Sequence, residues 1–261
     1  MITRRMGLGL LGSALVMPAF AAEVLEVGAY PSNPPFEAKD EHGGFDGFEV
    51  ELARDIAKHL GMTMHITDLG FQALFAATAS RRIDLAISTI TITPERLKNQ
   101  AFTQPYMDDD LALIAGASSP LKSLADTRGK TLGSLASSTS DTWLKANGAR
   151  LGIAGTKSYD TITNLFLDVT NGRVDGGVND HAGSLYAMKS MRGMRVVEVI
   201  PAGEEIAMML PKGSALLQPV NDAITALKQD GTVAGIYQKW LGAAALAKSS
   251  TVEVRPLPEA G

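Results

Sequence analysis

Residues 84–96, Asp84-Leu85-Ala86-Ile87-Ser88-Thr89-Ile90-Thr91-Ile92-Thr93-Pro94-Glu95-Arg96, decide the fold. Leu85-Ala86-Ile87 is an uninterrupted apolar run, which suits a strand covered on both faces in a parallel sheet. The chain then turns to hydroxyls without charge, Ser88 to Thr93. Thr93-Pro94 reads as an N-cap followed by proline in the first helical position, so a short helix begins there. Arg96 falls in that helix's first turn, where the macrodipole disfavours a cation. An anion bound by the guanidinium and free backbone N–H groups would resolve the conflict. The stretch therefore reads as a carboxylate site at the carboxyl end of a buried strand. A solvated arginine paired with Glu95 is the plainer alternative, and these residues alone leave both open.

The start of the chain concerns export. Arg4-Arg5 precede an apolar run from Met6 to Met17, and Ala19-Phe20-Ala21 offers small residues for cleavage. This is the pattern of a secretory signal peptide over 1–21, leaving Ala22 first, and the run is shorter than the ~20 residues a bilayer span needs. Thr3-Arg4-Arg5 with Leu8 leaves twin-arginine export open beside the general route. The chain has no cysteine, so neither a lipid-bearing thiol nor a disulfide is available. The expectation is a soluble periplasmic protein without membrane insertion.

Composition excludes several classes. Loss of Arg4 and Arg5 leaves 22 basic against 28 acidic side chains. A mildly acidic chain without a basic stripe is a poor nucleic-acid binder. His42, His59, His65 and His181 are scattered without ligand spacing, so no metal or cofactor is expected.

In chain order, Val24 to Ala29 reads as a strand and Tyr30-Pro31-Ser32-Asn33-Pro34-Pro35 as an irregular loop stiffened by proline. Asp46 and Glu49 have capping-box spacing before a helix whose Phe48, Leu52, Ile56 and Leu60 share a face, with Gly61 as its stop. A strand over 62–66 and a helix holding Phe71, Leu74, Phe75 and Thr78 lead into the Asp84 strand. This β-α-β-α-β order predicts a parallel sheet with helical crossovers. A second series follows: strands over 111–115, 130–135, 156–159, 174–178 and 195–200. Its helices open near Asp141, at an Asp160 cap and near Ala182. Ile206 to Leu210 reads as a further apolar strand, and two last helices cover Leu217 to Leu227 and Thr232 to Leu241.

Two α/β series without a flexible linker suggest two lobes, and ligands of open α/β sheets sit beyond the carboxyl ends of the strands. A cleft between the lobes would then be lined from both sides. The second series offers the hydroxyl-rich loop Ala136 to Ser140, whose N–H groups suit a carboxylate, although Ser140 or Asp141 is also placed to cap the helix. It also offers Asp180, either a helix cap or an acceptor for an ammonium group. Arg96, the loop and Asp180 together make a set of partners for a zwitterion, with Phe71 as an apolar wall.

Over nearly all of the mature chain, the sequence resembles the periplasmic amino-acid-binding proteins of ABC uptake systems, solute-binding family 3. The resemblance rests most on Asp84-Leu85-Ala86 through Thr91-Ile92-Thr93-Pro94-Glu95-Arg96. Pro35-Phe36-Glu37, Gly47-Phe48-Glu49-Val50-Glu51-Leu52, Gly172-Arg173-Val174-Asp175 and Asp230-Gly231-Thr232 add to it. It implies an α/β two-lobed fold in which the chain crosses twice: 22–110 with 207–245 as one lobe, 111–206 as the other, and 246–261 as a tail. It further implies Arg96 as the α-carboxylate partner, Asp180 as the ammonium partner and Phe71 as the stacking aromatic. Ser88, Thr89, Thr91, Ser138, Thr139 and Ser140 become cleft contacts. Tyr30 stands where basic-amino-acid binders carry an acid, Asn33 where an aromatic is usual, and Ser137 where glycine is common. Those departures argue against a lysine or arginine ligand. The implied partners are a small amino acid or analogue and a membrane permease, with the binding protein a monomer. A dehydratase of prephenate or arogenate on the same scaffold is the rival, with Asp180 or Glu204 as its acid or base.

Overall fold

The apolar alternation after Glu23 becomes β1 (Val24–Ala29), whose Leu25, Val27 and Ala29 are fully buried. The computed structural model describes residues 23–259; the expected leader and its cleavage after Ala21 lie outside the described residues. The proline-rich loop is less irregular than its composition predicts. It holds a two-residue strand, β2 (Ser32–Asn33), which pairs with β3 (Glu37–Lys39), itself paired with β4 (Phe45–Asp46). The short hairpin layer buries Asn33 and Glu37.

Helix α1 (Phe48–His59) starts at Gly47, not through a capping box. Gly47 sits at φ 139°, where an added Cβ would overlap the Phe36 carbonyl, so glycine is required. Glu49, freed from the cap, is fully buried. After β5 (Thr63–Asp68) and α2 (Phe71–Ala79), the Asp84 stretch forms β6 (Leu85–Ala86). Helix α3 (Pro94–Asn99) begins as read: Thr93 caps it by accepting the Arg96 N–H at 3.2 Å.

Strand β7 (Gln100–Phe102) is followed by β8 (Met107–Gly116), which carries the chain into the second sheet. There β9 (Thr131–Leu135) leads to α4 (Thr139–Leu151), capped by Ser138 accepting the Asp141 N–H at 3.1 Å. The cap is thus two or three residues earlier than Ser140 or Asp141. Strand β10 (Gly155–Tyr159) precedes α5 (Ile162–Thr170), capped by Thr161 rather than Asp160. Strand β11 (Gly176–Asp180) and α6 (His181–Ser190) lead to the thirteen-residue β12 (Met194–Ile206), which returns the chain. The single apolar strand expected over 206–210 is two pieces. Ile206 ends β12, and β13 (Met209–Pro211) joins the first sheet. Both sheets bury this segment, so its composition carries no mark of the change.

The resulting sheets have the orders β5-β1-β6-β13-β7 and β10-β9-β11-β8-β12. Parallel pairs β1–β5, β1–β6, β9–β10 and β9–β11 put strand carboxyl ends on the edges that meet. Long β8 and β12 pair antiparallel through Asp109 opposite Glu204 and Met107 opposite Ile206, forming the two crossings between the lobes. Helices α7 (Leu217–Gln229) and α8 (Thr232–Leu241) pack with α1 against the first sheet. The tail is tied down although it has no period. Lys228 donates to the Glu253 carbonyl at 2.9 Å, and the Ser250 N–H to Asp108 at 2.8 Å.

Candidate functional site

Backbone strain gathers where the lobes meet. Ser88, Thr89 and Ser137 hold positive φ values of 151°, 45° and 63°. Non-glycine residues persist there only when their surroundings impose it, and such residues cluster at binding sites. The restraints are visible. The Tyr30 N–H donates to Ser88 Oγ at 2.9 Å, and the Thr89 N–H donates to Glu49 Oε2 at 2.8 Å. Glu49 also accepts from the Tyr106 hydroxyl. Burial, then the charge of Glu49, hold the neighbouring Glu37 carboxyl well above the usual range. Glu49→Ala would leave these buried donors without their acceptor. With two buried donors stranded, it is expected to cost roughly 2–6 kcal/mol, read as a lower urea midpoint at unchanged slope.

On this floor lies a crevice lined by ten of the eleven residues singled out in the sequence. Tyr30, Asn33, Phe71, Ser88, Thr89, Thr91 and Arg96 come from the first lobe, and Ser138, Thr139 and Asp180 from the second. Ser140 is the exception. It is buried in the first turn of α4, away from the crevice, because Ser138 takes the cap and Thr139 the position that faces the crevice. Leu135, Ile162 and Asn179 line the crevice without having been singled out. They read as ordinary core residues, and only their position at element ends marks them.

Arg96 escapes the unfavourable end of its helix by folding back. Its Nη1 donates to the Thr91 carbonyl at 2.7 Å, and its guanidinium carbon lies 5.0 Å from the Phe75 ring centre. The pairing with Glu95 does not form; Glu95 pairs with Lys98. Burial lowers Arg96 to about 10, opposed by Glu204 and Asp180. Asp180 occupies the N-cap of α6, yet its side chain caps nothing. Its Oδ2 accepts instead from Thr89 Oγ1 at 3.2 Å, across the lobes. Burial pushes Asp180 up to about 6, against the pull of the Thr89 bond and Arg96. None of the ion pairs formed among the described residues includes Arg96, Asp180, Asp109 or Glu204.

Two further bonds latch the lobes: the Ile162 N–H to Tyr30 Oη at 2.9 Å, and Arg96 Nη2 to the Ser137 carbonyl at 3.2 Å. In this closed form the crevice leaves about 10 Å³, room for about one water molecule. Sequence reasoning named Glu204 only as an acid or base of the enzyme alternative and not as a ligand contact; it is 5% exposed and lies on β12 beside Arg96. The shift of pairing register between Ile200 and Glu204 leaves no signal in the sequence.

Among the described residues no group of His, Cys, Asp and Glu is arranged to hold a metal ion, and no helix is long and apolar enough to cross a membrane. The model of the bacterial extracellular solute-binding proteins, family 3, matches residues 25–243. The L-cystine-binding protein TcyJ of Escherichia coli K12 is 31% identical over 223 residues, covering 84% of this chain and 83% of that protein. The ABC transporter arginine-binding protein 1 of the same strain is 30% identical over 244 residues, covering 91% and 98%. Among solved structures, an ancestral arginine-binding protein bound to arginine superposes with a TM-score of 0.79 at 35% identity, covering 83% of this chain and 97% of that one. The arginine-, lysine-, histidine-binding protein ArtJ of Geobacillus stearothermophilus gives 0.80 at 29%, covering 86% and 98%. The dehydratase alternative finds no support in these relatives, which are solute-binding proteins. With its two α/β lobes, its double crossing and this match over most of its length, the chain belongs to the bacterial extracellular solute-binding proteins of family 3.

Proposed function

We propose that the protein captures an amino acid or a similar small zwitterion between its lobes and delivers it to the membrane permease of an ABC transporter. The observation that carries this reading is the convergence of Arg96 from one lobe and Asp180 from the other on one crevice, neither held in an ion pair among the described residues. A zwitterion offers each charge its opposite. Its carboxylate replaces the Ser137 carbonyl at Arg96, gaining a charge-assisted bond, and its ammonium replaces the Thr89 hydroxyl at Asp180. Thr91, Ser88, Ser138 and Thr139 supply hydroxyls, Phe71 supplies an apolar wall, and Tyr30 with Asn33 closes the far end.

Affinity and motion are linked in this scheme. A ligand seated on Arg96 reaches Thr139 and Asp180 only when the lobes meet, and that differential contact drives closure. The lobes proposed are 22–110 with 207–245 and 111–206, turning about β8 and β12. The mature protein would work as a monomer in the periplasm. Mass spectrometry of ligand released by denaturing purified protein, followed by calorimetry with the compound found, tests the reading. An amino acid recovered in near-stoichiometric amount is expected. Release of a compound with no carboxylate would refute the role of Arg96.

A further inference from the structure

The tail after α8 is fastened to the point where the chain first crosses between the lobes. It lies beyond residue 243, where the match to the family model ends, yet Ser250 and Thr251 are each only 1% exposed. A turn seats them: the Val252 and Glu253 N–H groups both donate to the Ser249 carbonyl, at 3.0 and 2.9 Å. Two bonds anchor this turn on the first lobe. The Arg255 N–H donates to Gln104 Oε1 at 3.1 Å, and Lys228 Nζ to the Glu253 carbonyl at 2.9 Å. Gln104 is itself fully buried and fixed to α7, its amide donating to the Asn221 carbonyl and to Thr225 Oγ1. A third bond, from the Ser250 N–H to Asp108 Oδ2 at 2.8 Å, reaches β8.

Asp108 is the residue at which β8 changes lobes. Met107 before it belongs to the first lobe's core, and Asp109 after it accepts the Ala182 N–H of α6, in the second lobe, at 3.2 Å. Asp108 pairs with Glu205 of β12, close to the register shift between Ile200 and Glu204 and to Gly203 at φ 58°. Domain closure concentrates its backbone rotation in a few residues of this kind. We propose that residues 246–259 are a strap across this hinge, which holds Asp108 to the first lobe and so favours the closed form over the open one. The Ser250 bond is made with the lobes closed, and rotation of β8 at Asp108 pulls its acceptor away. The anchors on Gln104 and Lys228 lie wholly within the first lobe and survive that rotation. The strap thus adds to closure whatever the solute contributes, and it does so for any solute.

The test measures opening directly and without ligand. The chain has no cysteine, so spin labels can be placed at Lys98→Cys on α3 and Ala146→Cys on α4, two exposed positions that line the same groove from opposite lobes. Pulsed electron resonance then gives the distance distribution for the labelled protein and for the same protein carrying Asp108→Ala or Ser250→Pro. Each variant removes the tail-to-hinge bond from one end, and Ser250→Pro does so without altering charge. The ratio of closed to open molecules is expected to fall about two- to tenfold in both, the worth of one hydrogen bond. Circular dichroism establishes that each variant is folded. An unchanged or increased closed fraction in folded Ser250→Pro overturns the strap, as does a labelled protein found only at the long distance before either change. Each of those results leaves amino-acid capture standing, since that reading is decided by the solute recovered and not by the tail.

Discussion

Arg96→Ala is expected to weaken ligand binding by on the order of 2–5 kcal/mol, about thirtyfold to several thousandfold in calorimetry. The effect is large because the residue would be lost from a desolvated pair, leaving the ligand carboxylate with hydroxyls and no cation. Folding should suffer far less. Arg96 bonds only two carbonyls in the closed form, and its guanidinium covers the partly buried Phe75 ring. A normal melting temperature with unaltered affinity would remove Arg96 from the site. Arg96→Lys should recover only part of the loss, since an ammonium lacks the fork that grips a carboxylate at two points.

The second large effect is expected at Asp180. Asp180→Asn keeps the shape and can still meet Thr89, but it offers the ligand ammonium no charge. Affinity should fall roughly tenfold to a hundredfold at neutral pH. Its pH dependence separates this role from mere packing. In the unliganded protein the Asp180 carboxyl is raised to about 6, whereas ammonium binding requires it ionised. Below that pH, binding must first expel a proton, so wild-type affinity should rise about tenfold per unit up to about 6 and then level. Without ligand the sign reverses. Raised carboxyls at Asp180, Glu204 and Asp109 favour the protonated closed form, so the unliganded latch should be firmest in acid and loosen as pH climbs through about 6 to 8. In Asp180→Asn the rise in affinity through pH 6 should shrink. An identical profile in both proteins, measured by calorimetry from pH 5 to 8, would count against ammonium recognition by this carboxylate.

Much of this molecule is legible along the chain. The periodicity of α1 and α7, the apolar run before Ser88, the Thr93-Pro94 start of α3 and the α/β order are local patterns, and local hydrogen bonding with one-sided burial suffices to enforce them. Leu85 to Arg96 could therefore be read as strand, turn and helix without knowing what they touch. Glu49 could not. Its spacing from Asp46 suits a cap, and only the approach of Thr89 and Tyr106, 40 and 57 residues away, turns it into the floor of the crevice. The same holds for Ser140, displaced from the site when Ser138 took the cap. Ile206 to Leu210 likewise divides between two sheets that bury it equally. What the sequence determined by itself was the set of elements and the charges offered at their ends, because those depend on neighbours in the chain. The tertiary structure alone decided which charges face one another: Arg96 with Asp180 across the lobes, and Glu204 behind them. That choice depends on strand register and lobe contact between segments some 80 to 110 residues apart, and no local pattern encodes it.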